Sequence, residues 1–112
     1  MRDTNLGAFE ELVLLAVGSL TDKAYGVTIK EALEDETGRT PSIGALHSAL
    51  YRLEDKGYLT SIEGGATAER GGRRKKFYRL SSSGKKALQV AHELRMAFSA
   101  RVPGLNLKSQ RS

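Results

Sequence analysis

The feature that most constrains the fold of this chain is a glycine-rich, basic loop between two β-prone segments. Residues 64–72 are mostly small, and β-prone stretches lie on either side of them, at 58–62 and 75–80. Successive residues of a strand face opposite sides, so one of the neighbours Phe77 and Tyr78 should face a core. The pattern predicts a two-stranded hairpin with a long, mobile loop.

The charge of the chain is divided sharply along its length. Residues 1–69 contain 6 Lys+Arg and 12 Asp+Glu, a net charge of −6. Residues 70–112 contain 12 Lys+Arg and 1 Asp+Glu, a net charge of +11. A directed positive field of this kind attracts a phosphate backbone. A solvated basic tail is the alternative, but apolar residues interleave with the charges at 77–80, and a plain tail does not need them. The predicted phosphate contacts are Arg73, Arg74, Lys75 and Lys76, with Arg70 near enough to reach a minor groove.

The composition argues against several classes of protein. The chain has no cysteine, and its two histidines, His47 and His92, lie far apart, so neither a metal site nor a cofactor is expected. The Ser-Ser-Ser-Gly run at 81–84 has no nucleophile-elbow context and is better explained as a helix cap, so we expect no catalysis. Neither a membrane span nor a signal peptide is evident, which predicts a cytoplasmic protein without membrane contact.

Two amphipathic helices are predicted in the first 38 residues, because apolar residues recur there every three or four positions. The first helix has an apolar face that consists of Leu6, Phe9, Leu12, Val13, Ala16, Val17 and Leu20. The second helix repeats the spacing at Tyr25, Ile29, Ala32 and Leu33. Gly38 is expected to end the second helix in the left-handed conformation.

A third helix is predicted after Thr40-Pro41-Ser42 and ends near Gly57. Proline suits the first helical position, and either Thr40 or Ser42 can cap the exposed backbone donors. The apolar stripe of this helix consists of Ile43, Leu46, Leu50 and Leu53.

The opposite face of the third helix is suited to a nucleic-acid groove, since small hydrogen-bonding residues lead and longer residues follow. Gly44, Ser48 and Arg52 lie on this face, and His47 and Tyr51 lie on its flank, between the exposed and buried sides. The candidate DNA contacts are Ser42, Gly44, His47, Ser48, Tyr51 and Arg52. Arg52 offers a bidentate guanidinium for guanine, but phosphate contact or pairing with Glu54 or Asp55 competes with that role. A hydrogen-bonded packing role is the alternative for His47.

A last helix is predicted to begin at Ser81 and to stop at Pro103-Gly104. Its apolar stripe contains Ala87, Leu88, Val90, Ala91, Leu94 and Phe98. This spacing is typical of a helix seam and favours dimerisation, although packing against the first helix is the alternative.

The order of elements is that of a winged helix-turn-helix domain, a mainly α fold with a small β-wing. We predict this DNA-binding domain over 1–80, a C-terminal dimerisation helix over 81–102 and a flexible tail over 103–112.

The residues themselves resemble the PadR family of bacterial transcriptional regulators, over roughly 6–100. The matching segments are Phe-Glu-Glu-Leu-Val-Leu-Leu-Ala at 9–16, Tyr-Gly-Val at 25–27, the stretch 46–59 and the stretch 71–84. The family usually has Tyr where this chain has His47, and the short final helix resembles the smaller subgroup.

The resemblance implies a homodimer that binds a palindromic operator in double-stranded DNA, usually as a repressor, with the third helix in the major groove. It implies a dimer interface between the first and last helices, here formed by Leu6, Phe9, Ala87, Leu88, Ala91, Leu94 and Phe98. It also implies that a small aromatic effector releases the DNA in some relatives. An RNA-binding or protein-interaction winged helix is the rival function, and such a module needs no two-fold symmetry.

Overall fold

The computed structural model describes residues 6–64 and 75–105. Its elements are α1 (Ala8–Leu20), α2 (Gly26–Thr37), α3 (Ile43–Asp55), β1 (Leu59–Glu63), β2 (Lys76–Leu80) and α4 (Ser82–Ser99), with a 3-10 turn, Thr21–Lys23, after α1. The predicted fold class and order of elements are confirmed. The division into 1–80, 81–102 and 103–112 stays a prediction.

The core lies where the first three helices meet the base of the sheet. Its buried members are Val13, Leu14, Ala16, Val17, Ala24, Ile29, Leu33, Leu46, Ala49, Leu50, Leu53 and Leu59. From the sheet, Tyr78 and Leu80 pack against this cluster, and so does Leu88 of α4. Burial of this apolar surface holds α3 against α1 and leaves the opposite side of α3 in solvent.

The predicted apolar faces of α1 and α3 are each wrong at one residue. Leu12 is 41 % exposed, because it lies about 100° around α1 from Val13, on the side away from the fully buried Leu14. Ile43 is 56 % exposed, because it is the first residue of α3 and the core contacts begin only at Leu46.

The ends of α2 and α3 follow local chemistry. Gly38 ends α2 with a φ of 75°, as predicted. Ser42 caps α3, since its Oγ accepts a hydrogen bond from the Ala45 amide at 3.1 Å. Of the two predicted candidates for the cap, Thr40 and Ser42, the chain therefore uses Ser42, and Pro41 precedes the helix.

The last helix begins as predicted but ends early. The Ser81 Oγ accepts a hydrogen bond from the Gly84 amide at 2.9 Å, which confirms the predicted cap. The helix ends at Ser99 and turns follow it, so Pro103 does not itself stop the helix. Residues 106–112 of the predicted tail lie outside the described residues.

The sheet is one antiparallel pair, in which Leu59 lies opposite Leu80. The Tyr78 amide donates to the Ala24 carbonyl at 2.8 Å, which joins β2 to the start of α2. Of the two neighbours in β2, Tyr78 packs on the core, where burial raises the pKa of its hydroxyl.

Phe77 lies on the other side of β2, where its ring packs edge-on against the Tyr25 ring with the two ring centres 5.2 Å apart. We call the sheet and its connecting loop the wing. The predicted loop at 64–72 lies outside the described residues from position 65 onward.

Candidate nucleic-acid interface

Five predicted DNA contacts share the solvent side of α3 and its cap. The exposed residues are Ser42, Gly44, His47, Ser48 and Tyr51, and Tyr51 is 71 % exposed. Leu46, Leu50 and Leu53, by contrast, are at most 2 % exposed. One face of α3 is therefore fixed to the core while the other presents hydroxyl, imidazole and phenol groups to any neighbouring molecule.

Ile43 adds an apolar group to this face, and sequence reasoning missed it by assigning it to the core. It lies one and two turns before His47 and Tyr51, so the three residues form an exposed row along α3. A branched apolar side chain at the first turn of such a helix can contact a thymine methyl group.

Arg52, the sixth predicted contact, takes part in an ion pair that the sequence did not suggest. Its Nε donates to Glu10 Oε2 at 2.7 Å, across 42 residues of sequence, rather than to Asp55 or Glu54. Glu54 instead accepts a hydrogen bond from Ser61 at 2.6 Å.

Glu10 is a buried carboxylate between two helices. Its Oε1 accepts hydrogen bonds from Lys56 Nζ at 2.8 Å and from the Gly7 amide at 3.1 Å. Its side chain is only 9 % exposed. The sequence carried one signal for this placement, because Glu10 lies three and seven residues before the buried Val13 and Val17, and thus on the inner face of α1.

The charge of Glu10 is maintained by its partners. Burial raises the pKa of this carboxyl, but the lowering by its partners is larger, so the net pKa is about 2. The partners that lower it are the hydrogen bonds from Arg52, Lys56 and the Gly7 amide, together with the Lys56 charge. The carboxylate is therefore ionised at neutral pH, and it links Arg52 of α3 and the C-cap residue Lys56 to the first turn of α1.

The described basic residues of the wing also have partners within the chain. Lys75 Nζ lies 4.4 Å from the centre of the Tyr25 ring, a cation–π contact, and Lys76 Nζ lies 3.4 Å from Glu54 Oε1. The Lys76 side chain is still 51 % exposed. The predicted contacts Arg70, Arg73 and Arg74 lie outside the described residues.

The predicted dimer residues fall into three groups by burial. Ala87 and Ala91 are buried within the chain itself. Leu6, Phe9 and Leu88 are half-buried against the chain's own core. The exposed members are Leu94, at 38 %, and Phe98, at 64 %.

A groove of about 440 Å³ lies between the start of α1 and the end of α4. Leu6, Leu94 and Phe98 contribute its apolar lining, and Glu11 and Arg95 also line it. The last two form an ion pair in which Arg95 Nη2 donates to Glu11 Oε1 at 2.6 Å. The carboxylate raises the pKa of the Arg95 guanidinium above its ordinary value.

Other kinds of site find no support in residues 6–64 and 75–105. No group of three or more His, Cys, Asp or Glu side chains there is arranged to hold a metal ion. None of the helices in these ranges is long and apolar enough to cross a membrane.

Known proteins share both the sequence pattern and the fold. Residues 14–90 match the model of the transcriptional regulator PadR-like family. The structure of hsRosR-S1, a complex, superposes with a TM-score of 0.69 at 26 % identity over 88 % of this chain and 80 % of that chain. A PadR family transcriptional regulator from Eggerthella lenta superposes with a TM-score of 0.66 at 24 % identity, over 80 % of this chain and 76 % of its own.

A PadR-like transcription factor from Bacteroides fragilis has a TM-score of 0.68 at 22 % identity, over 84 % of this chain and 89 % of its own. No curated protein sequence gives a significant match. The family model covers more than two thirds of the chain and names a class of regulators, not of enzymes. The protein is thus a member of the PadR-like family of DNA-binding transcriptional regulators.

Proposed function

We propose that the protein is a homodimeric repressor that binds a palindromic operator through α3 and the basic wing. The observation that carries this proposal is the division of α3 into a fully buried face and an exposed face of small and polar residues. An exposed helix of this kind enters a major groove with its N-terminal residues nearest the base edges. The rival RNA-binding or protein-interaction module could use the same face but would need no two-fold symmetry.

Gly44 supports close approach of another molecule to the first turn of α3. Apart from its chain neighbours and the backbone of its own helix, a Cβ built on Gly44 would meet no atom of the described residues within 4 Å, and its φ is not positive. Neither packing nor backbone conformation therefore requires glycine here, where it costs roughly 0.5–1 kcal/mol relative to alanine. A DNA backbone or base edge against the helix would account for the missing side chain.

The basic wing supplies the electrostatic part of the proposal. If each wing neutralises about three phosphates, a dimer should show a log-log salt slope of about −5, at roughly −0.9 per contact. The residues proposed for this role are Arg70, Arg73, Arg74, Lys75 and Lys76. Lys75 and Lys76 lie at the described end of the wing, where their Nζ groups contact the Tyr25 ring and Glu54, so binding to phosphate would compete with these contacts.

Exposed apolar residues on α1 and α4 support dimerisation. Leu12 and Leu15 of α1 are 41 % and 49 % exposed, and Leu94 and Phe98 of α4 add to this apolar surface. Exposed apolar patches on a small protein commonly mark an interface. A two-fold dimer would present two copies of α3 to the two halves of a palindrome.

The groove between α1 and α4 is the proposed site of a small aromatic effector. It combines apolar walls with one ion pair, Glu11–Arg95, which suits a ring that carries a polar group. Occupancy of the groove would alter the surface through which the two copies meet.

Fluorescence anisotropy tests the function as a whole. The probes are a duplex selected by the protein from a random pool and a shuffled duplex, each at two salt concentrations, with the mass measured in parallel. Tight, salt-sensitive binding of a dimer to the selected duplex is expected. Equal, weak binding of a monomer to both would refute the operator proposal and favour the rival module.

Gly44→Ala separates DNA contact from folding. The added methyl should weaken binding to the selected duplex at least tenfold, while thermal unfolding shows equal or greater stability. Ala45→Gly is the control, because it lowers helix propensity at the next residue without adding bulk. Full binding by Gly44→Ala would exclude close approach at this turn.

A further inference from the structure

Two cations at the C-terminal end of α3, Arg52 and the C-cap residue Lys56, converge on one carboxylate of α1. Arg52 and Lys56 lie one helical turn apart, and they donate to different oxygens of Glu10, at 2.7 and 2.8 Å. The Gly7 amide supplies a third donor at 3.1 Å. Because this carboxylate is buried, its position is fixed by three hydrogen bonds and by the packing of α1.

The contact uses only part of the Arg52 side chain. A guanidinium carries five N–H donors, and Glu10 receives the one on Nε. The Arg52 side chain remains 52 % exposed, and no other hydrogen bond of its guanidinium is formed within residues 6–64 and 75–105. The Nη1 and Nη2 groups, which form the planar fork, are therefore left for a molecule outside the chain.

Restraint through Nε changes what this fork can do. An arginine that is free to rotate loses side-chain entropy when it binds, and it contacts any phosphate within reach. Held at Nε, the fork has a fixed plane and direction, which favours one bidentate acceptor, a guanine edge or a single phosphate. The negative charge of Glu10 also reduces the attraction of this site for phosphates in general.

We infer that Glu10 is a positioning residue for DNA recognition, which fixes the Arg52 fork on α3 toward one acceptor in the operator. This inference rests on the proposed function. It assigns a role in sequence discrimination to a residue that is buried and does not itself touch the DNA. Loss of the carboxylate should therefore lower discrimination between DNA sequences more than it lowers affinity for DNA as such.

Glu10→Gln is the test variant, and Glu31→Gln is its control. Both replacements remove one negative charge from a helix, but Glu31 is exposed on α2, whereas Glu10 accepts the hydrogen bond from Arg52. The readout is the ratio of affinities for the selected duplex and its shuffled form, at one salt concentration. We expect Glu10→Gln to lower this ratio about tenfold, with shuffled-duplex affinity unchanged or higher, and Glu31→Gln to leave the ratio unchanged.

A double-mutant cycle with Arg52→Lys shows whether Glu10 acts through Arg52. Lysine retains the positive charge but lacks the fork. Glu10→Gln should have no further effect on the ratio in the Arg52→Lys background. An equal loss in both backgrounds, or equal weakening toward both duplexes, would assign Glu10 a purely structural role and overturn the inference.

Two further outcomes are decisive. If Glu10→Gln does not fold, the Arg52→Lys variant alone answers the question, because full discrimination without the fork overturns the inference. If the wild-type protein shows no preference between the duplexes, the proposed operator function fails. A wild-type preference that Glu10→Gln retains overturns only the role of Glu10.

Discussion

The N-terminus of α4 is attached to the turn before β1 so closely that one methyl group should disrupt it. Gly84 is buried, and a Cβ built on it would lie 3.0 Å from the Tyr58 carbonyl carbon and 3.3 Å from the Tyr58 Cα, with the carbonyl oxygen closer still. Ordinary van der Waals contacts of a Cβ begin at 3.4 Å. Since these are backbone atoms, a rotamer change cannot relieve the overlap in Gly84→Ala.

The cost of Gly84→Ala follows from what must move. Moving α4 away from the turn weakens two hydrogen bonds. The Ser81 amide donates to the Tyr58 carbonyl at 3.1 Å, and the Ser83 hydroxyl donates to the Gly57 carbonyl at 2.9 Å. Overpacking costs about 1–3 kcal/mol, and a weakened hydrogen bond adds roughly 0.5–1.5 kcal/mol. Alanine returns about 0.5–1 kcal/mol of helix propensity. The free energy of unfolding should therefore fall by about 2 kcal/mol.

Urea unfolding followed by circular dichroism measures this change, with Gly44→Ala as the matched control. Both glycines lie in the first turn of a helix, but among the described residues the Cβ at Gly44 would meet nothing within 4 Å beyond its own helix backbone and chain neighbours. We expect the midpoint to fall for Gly84→Ala and to stay or rise for Gly44→Ala, with the slope m unchanged in both. Equal midpoints for the two variants would refute the packing argument.

Three further perturbations test other contacts. The pKa of Glu10 is lowered from 4.5 to about 2 in the folded protein, so its charge stabilises the fold above pH 4.5 and this contribution is lost as the pH falls toward 2. Because solvent screens the half-exposed Arg52, we expect the free energy of unfolding in urea to fall by only about 1–2 kcal/mol over this pH range. Glu10→Gln should flatten this pH dependence, and an unchanged pH profile in the variant would contradict the assignment. Ser81→Ala removes the α4 cap and should lower the free energy of unfolding by about 1 kcal/mol, whereas an unaltered urea midpoint would show that the cap is dispensable. Phe98→Lys should shift the sedimentation mass from dimer to monomer without a change in the circular dichroism spectrum, and a dimer that persists would place the interface elsewhere.

The local elements of this protein were determined by the sequence alone. Helix periodicity, Gly38, the Ser81 cap and the alternation around Phe77 act within a few residues, so they remain readable without knowledge of the fold. The same periodicity placed Gly44, Ser48 and Arg52 on the exposed face of α3, although it counted the exposed Ile43 with the buried stripe. The order of these elements was sufficient to predict a winged helix.

Only the tertiary structure decided which surfaces of those elements meet. The pairing of Glu10 with Arg52 spans 42 residues, and no local pattern encodes it. The exposure of Ile43 depends on where the core ends, which the helical period does not state. Burial and ion pairing are properties of two surfaces in contact, whereas a sequence pattern describes one surface at a time, and for this reason the contacts of α3 became apparent only in the folded chain.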